Sequence, residues 1–141
     1  MPLLEQVLEK YPTDVKLIFK NFPLRNHKYA KPAAIAAMAA DRQGKFWDFH
    51  DEIFLVYNQL NEAKLEEIAQ KLNLDMERFR SDQKDPKIIL AIGSDVQEGF
   101  QAGVRGTPSI FVNGRRLKQR SMQGFQAIID SELAKLRQKG K

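Results

Sequence analysis

Two histidines, His27 and His50, and the carboxylates Asp48, Asp51 and Glu52 are the side chains here best suited to metal binding or paired acid and base work. A metal site needs several ligands converging in a defined geometry, and two separated histidines do not supply one. Ordinary polar or packing roles are expected of both, with no metal and no cofactor. The spacing of Asp48, Asp51 and Glu52 fits the solvated face of an amphipathic helix better than a catalytic pair. There is no Walker-type loop, no Gly-x-Gly-x-x-Gly and no Gly-x-Ser-x-Gly, so nothing points to nucleotide or serine-hydrolase chemistry. The chain has no cysteine at all. Thiol–disulfide exchange requires a thiolate attacking a disulfide sulfur, and no other side chain replaces it.

What remains is a stretch whose chemistry belongs to the backbone: Arg105, Gly106, Thr107, Pro108, then Ser109, Ile110, Phe111, Val112 and the dipeptide Asn113-Gly114. The apolar run is β-branched or aromatic, and Asn-Gly tolerates the positive φ of a two-residue type I′ turn, so a β-hairpin is predicted. Pro108 cannot donate to a ladder and is placed at the start or edge of its strand. By base rate its peptide bond is trans, since cis accounts for about 5–6% of X-Pro bonds.

The elements that must position this stretch alternate in character. Residues 15–22 lie between Pro12-Thr13-Asp14 and Pro23 and read as a strand, and the continuous run Leu17, Ile18, Phe19 predicts burial on both faces. Pro32 suits a first helical turn, and residues 33–40 propagate a helix that stops near Gln43-Gly44. Phe46, Phe49, Ile53, Phe54 and Tyr57 form one apolar stripe, with Trp47 at its edge. Asn61 is expected to cap a helix bearing Leu65, Ile68, Ala69 and Leu72, and Asp75 a short helix with Met76 and Phe79. Ile88, Ile89, Ile92, Val96 and Phe100 mark a long helix leading to the Gly103 break. Phe125, Ile128, Ile129, Leu133 and Leu136 mark a closing one.

Taken in order, the helix and strand at the start, Asn21-Phe22-Pro23-Leu24, the Ala-rich helix, Gly44-Lys45-Phe46-Trp47-Asp48-Phe49-His50-Asp51, Leu72-Asn73-Leu74-Asp75 and Gly103-Val104-Arg105-Gly106-Thr107-Pro108 resemble the DsbA-type thioredoxin-fold oxidoreductases over nearly the whole chain. The resemblance implies an α/β thioredoxin-like domain over 1–141 with a helical insertion at 28–103. It implies a cis-proline at Pro108, and substrate peptide held along Arg105, Gly106, Thr107 and Pro108. Members of that family begin with a strand running into Cys-x-x-Cys at the start of the first helix. Residues 2–10 are similar to the later part of that helix, so an N-terminally truncated form is expected, lacking the first strand and the redox motif.

Two function classes follow. One is a relative of thiol-disulfide oxidoreductases that is redox-inactive as this cysteine-free chain. The other is a cysteine-free peptide- or protein-binding or structural module. In the resembling fold the absent strand is central, so residues 15–21 and 109–112 would face a gap. Buried unpaired backbone groups cost about 1–3 kcal/mol each. A homodimer exchanging sheet edges or first helices is the expected remedy.

Composition bounds the rest. A length of 141 residues and 43% hydrophobic content suit one domain with a real core, and no run approaches the ~20 apolar residues of a membrane span. The start lacks the basic, apolar and small-residue segments of a secretory signal, which reads as cytoplasmic as written, or exported if a longer parent carries one. The net charge of +5 collects at Arg115, Arg116, Lys118 and Arg120 and at Lys135, Arg137, Lys139 and Lys141. Without a groove-entering motif or stacking aromatics this reads as a solvated basic edge, not a nucleic-acid site.

Overall fold

In the computed structural model, which describes residues 2–140, the elements run α1 (Pro2–Lys10), α2 (Ala30–Asp41), α3 (Phe46–Leu55), a 3-10 turn (Tyr57–Gln59), α4 (Glu62–Lys71), α5 (Met76–Gln83), α6 (Pro86–Gln101), β1 (Phe111–Val112), β2 (Arg115–Arg116) and α7 (Met122–Lys139). Met1, from which the chain start was read, and Lys141 of the basic tail lie outside the described residues. The chain divides into two compact units, Lys20–Arg105 on one side and Met1–Phe19 with Gly106–Lys141 on the other.

The unit Lys20–Arg105 is built around α2. Alanine is the best helix former, and Pro32 falls in the first turn where its missing N–H costs no intrahelical bond. Ala33, Ala36, Ala37, Ala39 and Ala40 are all buried, and α3, α4, α5 and α6 all pack on this one helix. Small side chains permit that close approach from several directions. Larger groups fill the space between the outer helices: Phe49, Leu65 and Phe79 are essentially inaccessible, with the two phenyl rings 5.9 Å apart.

Local signals set the helix boundaries. The Asn61 side chain accepts the Lys64 N–H at 2.7 Å, Asp75 that of Arg78 at 3.1 Å and Asp85 that of Lys87 at 2.9 Å. Arg42, just past α2, reaches Asp82 at 2.9 Å and Asp85 at 2.8 Å, tying α2 to the junction of α5 and α6. The Lys87 N–H and then the Arg42 guanidinium hold the Asp85 carboxyl below its usual range. At the start of the unit, Asn21 is buried and donates both its backbone N–H (3.0 Å) and its amide (2.9 Å) to Asp95 of α6.

In the other unit α1 packs on α7, with Val7, Tyr11, Leu117, Phe125 and Ile129 forming the core. The Tyr11 hydroxyl donates to Asp130 at 2.8 Å. β1 and β2 form an antiparallel hairpin in the register Phe111 with Arg116 and Val112 with Arg115, and Asn113 (φ 49°) and Gly114 (φ 80°) both adopt the positive φ of the predicted turn.

The structure corrects several expectations. Residues 15–22 form no strand, and Ile18 is 64% and Phe19 39% exposed where burial on both faces was expected. A strand exists only through a ladder partner, and among the described residues none pairs with this segment. The stripe on α3 is shorter than its spacing implied: the helix ends at Leu55, so Tyr57 falls in the 3-10 turn, and Phe54 remains exposed against His50. On α6 and α7 the outer members Ile89, Phe100 and Leu136 are also exposed. α2 stops at Asp41, two residues before the expected Gln43-Gly44.

Because Ala36 is fully enclosed, Ala36→Leu is expected to destabilise this unit by about 1–3 kcal/mol through overpacking. Asn61→Ala should cost about 1 kcal/mol by loss of the cap. Urea titration followed by circular dichroism checks both.

Candidate functional site

α6 delivers the chain to the candidate run. Gly103 (φ 82°) ends the helix, and the Val104 N–H returns to the Gly99 carbonyl at 2.8 Å, seating Val104 in the interior. Arg105 is the last residue of its unit and Gly106 opens the other. Arg105, Thr107 and Pro108 are exposed, and Gly106 is half-buried. The Thr107–Pro108 peptide bond is cis. The Ser109 hydroxyl donates to the Gly106 carbonyl at 2.7 Å and closes the loop ahead of β1. The N–H groups of Arg105 and Thr107 meet no backbone acceptor among the described residues. Three of the four residues named from sequence are thus exposed, and the run holds no carboxylate, histidine or cysteine.

The hairpin that follows is held on two sides. The Leu117 N–H donates to the Ile110 carbonyl at 2.8 Å, extending the ladder past β1 and β2. Arg115 donates to Glu132 of α7 at 3.0 Å, and Lys135 reaches the same oxygen at 3.4 Å. Arg115 is the larger cause of the depressed Glu132 carboxyl, with Lys135 adding to it. Between β1 and residues 14–17 lies a cavity of about 160 Å³. It occupies the place where sequence reading expected a gap between two edges.

The other candidates do not assemble. His27 is exposed. His50 is buried, with its Nδ1 3.3 Å from Asp51 and its ring among those of Phe46, Trp47 and Phe54. Asp48 faces Lys45 at 3.6 Å and Glu52 binds Lys71 at 2.8 Å, so these carboxylates serve ion pairs. No group of three or more His, Asp or Glu among the described residues is arranged to hold a metal. No helix among them is long and apolar enough to cross a membrane. Sequence reading missed the buried Asn21–Asp95 bond and the Arg115–Glu132 pair. The first joins residues 74 positions apart and the second 17, beyond the reach of any local pattern.

Residues 2–131 match a family model described as thioredoxin. Over 116 residues the chain is 40% identical to "Na(+)/H(+) antiporter NhaA 3" of Salinispora tropica and 38% identical to "Na(+)/H(+) antiporter NhaA 1" of Salinispora arenicola, covering 82% of this chain and 18% of each relative. Over 105 residues it is 34% identical to "Na(+)/H(+) antiporter NhaA" of Herminiimonas arsenicoxydans, covering 74% of this chain and 17% of that protein. The chain therefore spans less than a fifth of the length of these curated relatives. No solved structure matches it.

The Arg115–Glu132 pair sets a pH dependence. With its folded pKa depressed, Glu132 contributes stability that is present above the ordinary glutamate pKa and is lost as pH falls through the folded value. Arg115→Ala should return Glu132 toward the ordinary carboxylate range and remove that share of the acid sensitivity. A carboxyl-carbon NMR titration of both proteins reads this directly.

Proposed function

We propose, for a chain that belongs to the thioredoxin family, that it is a DsbA-like binding module, redox-inert within these 141 residues, which holds extended polypeptide along Arg105, Gly106, Thr107 and Pro108. The observation that carries this reading is that Arg105 and Thr107 are exposed and their N–H groups meet no backbone acceptor among the described residues, in a chain with no cysteine. Strand addition needs only such main-chain donors and acceptors, and it proceeds without turnover. Thiol exchange needs a thiolate.

A second reading starts from the relatives. Those named as Na(+)/H(+) antiporters match this chain over less than a fifth of their length. In them the matching region is one part of a longer polypeptide, and this chain would accordingly act as a module attached to, or working beside, an ion antiporter. The intact mass of the polypeptide in its source cells separates the readings. A mass near 16.2 kDa favours the freestanding module, and a several-fold larger membrane-embedded species favours the second.

In an insulin-reduction assay with dithiothreitol, the chain is expected to leave the rate at that of dithiothreitol alone, and acceleration would count against redox inertness. Adding an unfolded, thiol-blocked polypeptide to isotope-labelled chain should shift the amide signals of Arg105, Gly106 and Thr107. Unmoved signals at those residues would remove the peptide-binding reading.

A further inference from the structure

We propose that the basic ridge along β2 and α7 is a docking surface for an anionic phospholipid bilayer. The proposal rests on the second reading above, since a module beside an ion antiporter stands within reach of a bilayer.

Two fastenings lay the segment after β1 onto α7. Arg115 of β2 donates to Glu132 at 3.0 Å. Past β2, Gln119 crosses the first turn of α7 so closely that a Cβ on Gly124 would collide with the Gln119 carbonyl, and Ser121 then caps the helix by accepting the Gly124 N–H at 3.0 Å. Residues 115–120 therefore run along α7, with Leu117 buried and Arg115, Arg116, Lys118 and Arg120 exposed. Lys135 and Lys139 continue the line, because spacings of three and four hold them on one helix face with Glu132. Both are exposed. α7 has 18 residues, so the ridge follows a helix about 27 Å long. None of these six basic residues lines the cavity beside β1, and their exposure belongs to the β2 side of the hairpin.

Charge is concentrated here. Lys20–Arg105 carries 13 Lys and Arg against 13 Asp and Glu, so the whole net +5 lies on the unit that holds the ridge. From Gly106 onward there are eight basic residues and two acids. Asp130 accepts the Tyr11 hydroxyl, and Glu132 is shared by Arg115 and Lys135. Lys118, Arg120 and Lys139 make no ion pair among the described residues.

The form of the ridge selects the partner. A specific protein interface centres on desolvated apolar or aromatic anchors, and a nucleic-acid single strand asks for stacking rings. The exposed side chains over 115–120 are arginine, lysine and one glutamine, and supply neither. A bilayer asks only for diffuse positive charge, with about a fivefold gain in partitioning for each Lys or Arg near its surface.

The probe is vesicles of phosphatidylcholine, alone or with phosphatidylserine added, mixed with the intact chain and sedimented. The chain is expected to partition onto the phosphatidylserine vesicles only, and to be released at about 1 M salt, where the Debye length is about 3 Å. Lys118→Gln combined with Arg120→Gln should weaken partitioning about twentyfold, with circular dichroism confirming an unchanged fold. Lys84→Gln combined with Lys87→Gln removes the same charge from exposed positions of Lys20–Arg105. It should change partitioning by less than about twofold. No binding, equal binding to neutral vesicles, or equal weakening by the two double variants would overturn the inference. Tighter binding to a mixed-sequence DNA duplex at the same salt would assign the ridge to nucleic acid and overturn it too. The intact mass tests the second reading separately. Vesicle binding with a native mass near 16.2 kDa keeps this surface and removes that reading, and a larger native species without vesicle binding does the reverse.

Discussion

A hairpin with two residues in each strand is too short to persist in water. Everything in the unit that carries it depends on the apolar contact beneath. Ile110 and Val112 pack on the core of Val7, Tyr11, Leu117, Phe125 and Ile129, so the helices α1 and α7 form the ground on which β1 lies. Arg115, gripping Glu132, fastens the far strand to the same helix. β2 satisfies only one edge of β1. The other edge of β1 faces residues 14–17 across the cavity, where Lys16 and Leu17 make no backbone hydrogen bond among the described residues.

The unit Lys20–Arg105 solves a different problem. Four helices must approach one central helix, and an alanine surface on α2 is what lets them do so. Bulk is supplied instead by Phe49, Leu65 and Phe79 on the outer helices, which keeps the centre dense without crowding it. Asn21 is, with His50, a polar group in this interior, and its backbone N–H and its side-chain amide each offset the cost of burial with a hydrogen bond to Asp95. That bond fixes where the incoming chain meets α6.

Legibility in the sequence followed the range of the interaction. The caps at Asn61 and Asp75 and the positive φ at Asn113 and Gly114 involve neighbours within a few residues, and residue type and spacing predicted them. Residues 15–22 show the limit. Their β-branched and aromatic content is that of a strand, yet propensity names a preference and a ladder needs a second chain segment at the right distance. The run at Arg105, Gly106, Thr107 and Pro108 was legible as a break before a strand. Its exposure and its unmet N–H groups were not, because both depend on what surrounds it.

The sequence by itself determined the helices, the caps at Asn61 and Asp75, the hairpin turn and the lack of cysteine within these 141 residues, because each depends on residue type and short spacing. Only the tertiary structure decided that residues 14–17 and β1 border a common cavity, that Asn21 is spent on Asp95, and that the net charge lies on the unit that carries the hairpin. The contacts among those facts join residues from 74 positions apart, as in Asn21 with Asp95, upward, and proximity over that range is set by packing of a whole unit rather than by any local propensity.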